Sequence, residues 1–96
     1  FDCSGYVCWV YNQNGYDIGR TTANGLWQKS QHISEAEAKP GDLVFFKGTY
    51  DTPGMSHVGI YLGNGKMVSA GDPIKYADIH SSYWQQYLAG FGRLSK

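Results

Sequence analysis

Apolar positions change their spacing along the chain, and the changes mark its elements. In C-S-G-Y-V-C-W-V-Y-N-Q-N (3–14), Cys3, Val7 and Val10 recur at i, i+4 and i+7, the period of one helix face, and Gly15 supplies a stop. Asp2 suits the N-cap, because its carboxylate can take the free amides of the first turn, which leaves Cys3 in that turn. Thr22 can cap a second short helix carrying Leu26 and Trp27. Residues 30–41 are polar and end in Lys39-Pro40-Gly41, a turn signal. D-L-V-F-F-K (42–47) then predicts a strand and 48–54 a loop. S-H-V-G-I-Y-L-G (56–63) and K-M-V-S-A (66–70) predict two more strands around a G-N-G-K turn. Pro73 and the polar tract to Ser82 read as a loop, Tyr83–Leu88 as a helical turn, and G-F-G-R-L (90–94) as a last strand. A helical part followed by an antiparallel meander is an α+β domain.

The hairpin offers two registers. A two-residue turn, Asn64-Gly65, sets Gly63 opposite Lys66 and Asp72 opposite His57. A three-residue loop, Gly63-Asn64-Gly65, sets Leu62 opposite Lys66 and Gly59 opposite Ser69. Only the second gathers Val58, Ile60, Leu62, Val68 and Ala70 on one face, and a slip of one residue would scatter them. The other face then carries His57, Gly59, Tyr61, Met67 and Ser69.

Ninety-six residues suffice for one domain with a single modest core, residues 1–96. Eight basic and eight acidic side chains balance, so neither nucleic acid nor an anionic membrane surface is an expected partner. No apolar run has the length of a membrane span, and no signal-peptide pattern is present. The chain opens directly on its motif, so this says little about compartment; it reads as a fragment of a longer protein. Cys3 and Cys8 are five apart, roughly 7.5 Å along a helix and about 140° around it, too far to bridge. No Cys/His spacing suits a metal, and no cofactor is expected.

F-D-C-S-G places Cys3 at a helix start between polar neighbours, where the dipole and unpaired amides favour a thiolate. The same amides can receive the negative charge that forms on an attacked carbonyl. The alternative is a small buried hydrophobe, which is the reading for Cys8 among Val7, Trp9 and Val10. A cysteine nucleophile needs a base. His57 heads a strand, whereas His32 and His80 lie in polar stretches that look solvated. Ser69 is the better candidate to orient the His57 ring, with Asp72 in reserve.

D-C-S-G (2–5), R-T-T (20–22) with Gln28 following, P-G-D-L-V-F-F (40–46) and S-H-V-G-I-Y-L-G-N-G-K-M-V (56–68) occur in the order found in NlpC/P60 cysteine peptidase domains. The chain resembles that family over nearly its whole length. With R-T-T-A-N-G-L-W and Y-W-Q-Q it is similar to the domain of conjugative-element cell-wall hydrolases, often preceded by a lysozyme-like domain. The resemblance implies a papain-like α+β fold whose N-terminal helix carries the nucleophile against a β-meander. It also implies hydrolysis of peptidoglycan stem peptides, commonly between D-γ-glutamate and a diamino acid, outside the cell or in its wall. By resemblance Cys3 is the nucleophile and His57 the base, and Asp2, Ser4 and Arg20 hold substrate. The alternatives are a simple cap for Asp2 and a structural salt bridge for Arg20. The family's third polar residue, usually His, falls at Ser69, a shorter and uncharged partner for the imidazole. The family's domain also begins upstream of D-C-S-G, with a tyrosine that often lines the site. One wall of the cleft is therefore expected to be missing or supplied elsewhere. The rival readings are a catalytically impaired wall-binding module and a CHAP-type amidase. Fast alkylation of Cys3 below the pKa of an ordinary thiol would mark a live site.

Overall fold

The computed structural model describes residues 2–70 and 74–95. Helix α1 (Cys3–Gln13) starts where Asp2 Oδ1 accepts the Gly5 amide at 2.7 Å. Its buried face is Ser4, Gly5, Val7, Cys8 and Tyr11. That stripe is rotated from the expected Cys3–Val7–Val10 line, so Cys3 lies at its edge and is only half-buried. Helix α2 (Ala23–Lys29) is capped as expected, with Thr22 Oγ1 accepting from Gly25 at 3.0 Å.

Six strands form one antiparallel sheet, β1 (Gln31–Ile33), β2 (Leu43–Lys47), β3 (Met55–Gly63), β4 (Lys66–Ser69), β5 (Lys75–Asp78) and β6 (Leu88–Arg93), in the order β1-β6-β2-β3-β4-β5. The expected strands are β2, β3, β4 and β6, of which β2 to β4 run as a meander. Strand β6 returns to the other side of β2, and β1 joins outside it. Two strands fall where the pattern suggested none, β1 in the polar stretch after α2 and β5 in the supposed loop before Ser82. Both are sheet edges whose pairing comes from a neighbour, so their own residues need no apolar alternation. Helix α3 (Ser82–Gln85) is a single turn, and a 3₁₀ turn (Glu35–Glu37) precedes β2.

Each face of the sheet has its own core. Leu43, Phe45, Val58, Ile60 and Val68 pack under α1 and α2 with Val7 and Leu26. Val44, Phe46, Tyr61 and Met67 pack on the opposite face with Ile79 and Phe91, against Trp84 and Tyr87. Burial on both faces explains why β2 reads as the unbroken run L-V-F-F. The face carrying Tyr61 and Met67 is thus covered as well.

The hairpin combines the two candidate registers. Ile60 opposes Val68 and Tyr61 opposes Met67, as in the three-residue register, but a shift after Tyr61 sets Gly63 opposite Lys66 across Asn64-Gly65. Asn64 and Gly65 take φ of 53° and 76°, the left-handed values that a tight turn requires. Val58, Ile60, Val68 and Ala70 are buried as expected, whereas Leu62 is 38% exposed at the irregularity.

Candidate active site

Cys3 occupies the first turn of α1 because Asp2 ends the extended segment there. Its Sγ lies within reach of the backbone amides of Val58 and Ser4. Burial nevertheless outweighs these amides and pushes the Cys3 thiol up from 9.0. The expected pull of the helix-start amides toward a thiolate is present, and burial opposes it with the larger effect.

His57 is aimed by a defect in β3. Phe46 opposes His57 while Lys47 opposes Met55, so Ser56 is the extra residue of a bulge. The buried Ser56 Oγ accepts from the Thr49 amide at 3.0 Å and lies 2.7 Å from Thr49 Oγ1, fixing the loop after β2. Asn24 Oδ1, from α2, accepts the Met55 amide at 3.0 Å and secures the start of the strand. His57 thus sits on an anchored bend between two helices and the sheet.

The imidazole packs against Trp84, with centroids 5.1 Å apart and planes 30° apart, and against Phe46 at 5.8 Å. Its Nε2 is buried without a hydrogen-bond partner among the described residues. Burial pushes the His57 pKa down from 6.5 to about 4. An indole face attracts an imidazolium by roughly 0.5–1 kcal/mol, whereas that fall corresponds to about 3 kcal/mol. Desolvation prevails, and the imidazole is neutral at pH 7.

Cys3 and His57 line one cleft of about 400 Å³, with Ser4 and Asn24 on the helical side and Tyr50 and Pro53 on the loop side. Behind His57, a second hollow of about 360 Å³ is lined by His57, Ser69, Lys75, Tyr76, Ala77 and Trp84. Ser69 therefore shares a pocket with His57 as expected, but it does not hydrogen-bond the ring. Asp72 lies outside the described residues.

Asp2, Ser4 and Arg20 form one connected group. Arg20 Nη2 lies 2.8 Å and 3.0 Å from the two Asp2 oxygens, and its Nη1 donates to Ser4 Oγ at 3.2 Å. The Gly5 amide, then Arg20, hold the Asp2 carboxyl below the usual range. The cap and the salt bridge are both real, and Asp2 and Ser4 also line the cleft. Cys8 is buried, as its place in α1 suggested. The remaining histidines are exposed but partnered: His32 stacks on Trp27, and His80 pairs with Glu35. Sequence reasoning missed Asn24, the Ser56 bulge and Trp84 as site residues. The only signal for Trp84 was its presence in Y-W-Q-Q.

Residues 1–93 match the model of the NlpC/P60 family. The chain is 50% identical to a probable endopeptidase p60 of Listeria seeligeri over 95 residues, 98% of this chain and 17% of that protein. It is 47% identical to the bifunctional muramidase/DL-endopeptidase CwlT of Bacillus subtilis, over 98% of this chain and 29% of that protein. A crystal structure of a lipoprotein-like NLP/P60 family protein from Staphylococcus aureus superposes with a TM-score of 0.94 at 43% identity, covering 100% of this chain and 32% of that one. The chain thus spans less than a third of the length of each of these relatives.

Proposed function

The chain belongs to the NlpC/P60 family, and from that premise we propose that it is a peptidoglycan endopeptidase whose nucleophile is Cys3 and whose base is His57. The observation that carries this reading is the shared cleft: a helix-start thiol and a strand-borne imidazole line one cavity open to substrate. The endopeptidase relatives support the bond class.

In the proposed reaction, Cys3 Sγ attacks a stem-peptide carbonyl carbon as His57 takes the thiol proton. The oxyanion forms beside the amides at the start of α1. Collapse breaks the C–N bond, His57 returns its proton to the leaving amine, and an acyl-thioester remains on Cys3. Water, deprotonated by His57, then releases the acid and restores the thiol. The bond favoured is the one between D-γ-glutamate and a diamino acid, with Asp2 and Ser4 meeting the stem peptide from the cleft wall. A wall or extracellular location and an upstream lysozyme-like domain belong to the same proposal. The bifunctional relative, of which the chain covers 29%, supports the second of these.

Mass spectrometry of purified muropeptides incubated with the protein tests the reading. New amino- and carboxyl-terminal fragments from the stem peptide are expected, absent with Cys3→Ala and retained with Cys8→Ala. Cleavage at the N-acetylmuramoyl–alanine bond would instead identify an amidase. Binding without cleavage would identify a wall-binding module.

A further inference from the structure

We propose that Trp84 is a positioning residue for His57, its indole holding the imidazole plane where no described side chain hydrogen-bonds the ring Nε2. The inference rests on His57 acting as the base. A base must keep its ring aligned with the thiol through both proton transfers, and a group joined to the chain by two rotatable bonds needs something to stop it turning. Among the described residues no polar side chain does this, because the buried Nε2 is unpartnered. Aromatic faces surround the ring instead. Trp84 is stacked 5.1 Å away at 30° and Phe46 is tilted at 5.8 Å; the two also pack on each other at 4.6 Å, forming a corner around the imidazole.

Trp84 is itself fixed. Tyr83 meets it edge-on at 5.0 Å. Gln85 Nε2 donates to the Ile79 carbonyl at 2.8 Å, tying α3 to the chain just after β5, and the Lys47 amide donates to the Tyr87 carbonyl at 2.8 Å, tying the residues after α3 to β2. The corner also keeps water from the ring, consistent with a His57 pKa near 4. The titratable and charged groups that share a pocket with His57 are Cys3 of α1 and Asp2 before it, Tyr50 of the loop after β2, and Lys75 and Tyr76 of β5. Ser69 of β4 is the neutral polar neighbour.

The test compares Trp84→Leu with Trp84→Phe, measuring muropeptide kcat and KM and following the His57 ring nitrogens by ¹⁵N NMR against pH. With Trp84→Leu, kcat should fall at least about tenfold while KM stays within about twofold, as misalignment of a reacting group predicts. The His57 pKa should rise from about 4 toward 6.5. Trp84→Phe, which keeps a ring face, should restore most of both. If folded Trp84→Leu leaves kcat and the His57 titration unchanged, the proposal is overturned. Equal kcat losses in both variants with an unmoved titration also overturn it. Should Trp84→Leu fail to fold by near-ultraviolet circular dichroism, Trp84→Met takes its place under the same criteria. His57→Ala is run in parallel: full activity there would show that His57 is not the base, a failure distinct from the failure of Trp84 to position it.

Discussion

Replacing Ser69 by Asn should make Cys3 more reactive, because it offers the buried Nε2 of His57 an acceptor that no described residue supplies. With the Cys3 thiol pushed up from 9.0 by burial and the imidazole pushed down to about 4, the thiolate–imidazolium pair is a minor state, so a group that stabilises the imidazolium raises its population in proportion. An amide oxygen accepting from the imidazolium Nε2–H contributes about 1.5–3 kcal/mol, and the hollow behind the ring has room for the longer side chain. Alkylation of Cys3 by iodoacetamide at pH 7 should therefore accelerate about 10- to 100-fold in Ser69→Asn. Ser69→Ala should stay within about twofold of the parent, since the serine does not bond the ring. The rate is read by mass spectrometry of the Cys3 peptide, with Cys8 as internal reference. A parent rate that is already flat between pH 5 and 8 would refute the reasoning, because it would mean a resting thiolate. An unchanged rate in Ser69→Asn would place the missing partner elsewhere.

Stability should fall on the acid side through His57. The unfolded imidazole takes its proton near 6.5 and the folded one near 4, so this group's contribution is complete above pH 6.5 and is lost as pH falls toward 4. Urea midpoints should show a loss of about 2–3 kcal/mol between pH 7 and 4.5 that disappears in His57→Gln; an equal slope in both proteins would show that other groups cause it. Gly54→Ala should destabilise by more than the roughly 1–2 kcal/mol of a left-handed backbone, because φ is 73° there and the new Cβ would stand 2.3 Å from Asn24 Oδ1. Displacing Asn24 frees the Met55 amide two residues before His57, so thermal melts and kcat should drop together, and loss of only one would separate the loop from the site.

The helices and the three central strands could be read from the sequence because their signals are local. Asp2 and Thr22 cap through amides three residues away, and the L-V-F-F run needs no knowledge of what covers it. Cys3 and His57 were legible for the same reason, as a thiol at a capped helix start and a histidine heading a strand. Strands β1 and β5 were not, since a polar edge strand exists only by virtue of its neighbour's unpaired backbone. Nor was the burial of the second sheet face, which depends on β6 returning beside β2 and on α3 closing over Met67 and Phe46. That return decides the chemistry of the site. It brings Trp84 against His57 from 27 positions along the chain, dries the imidazole and leaves Nε2 without a hydrogen-bond partner among the described residues. The residue types present were fixed by the sequence, but whether the thiol and imidazole rest charged or neutral depends on how much water the packed sheet and α3 exclude, and that is a property of the tertiary structure alone.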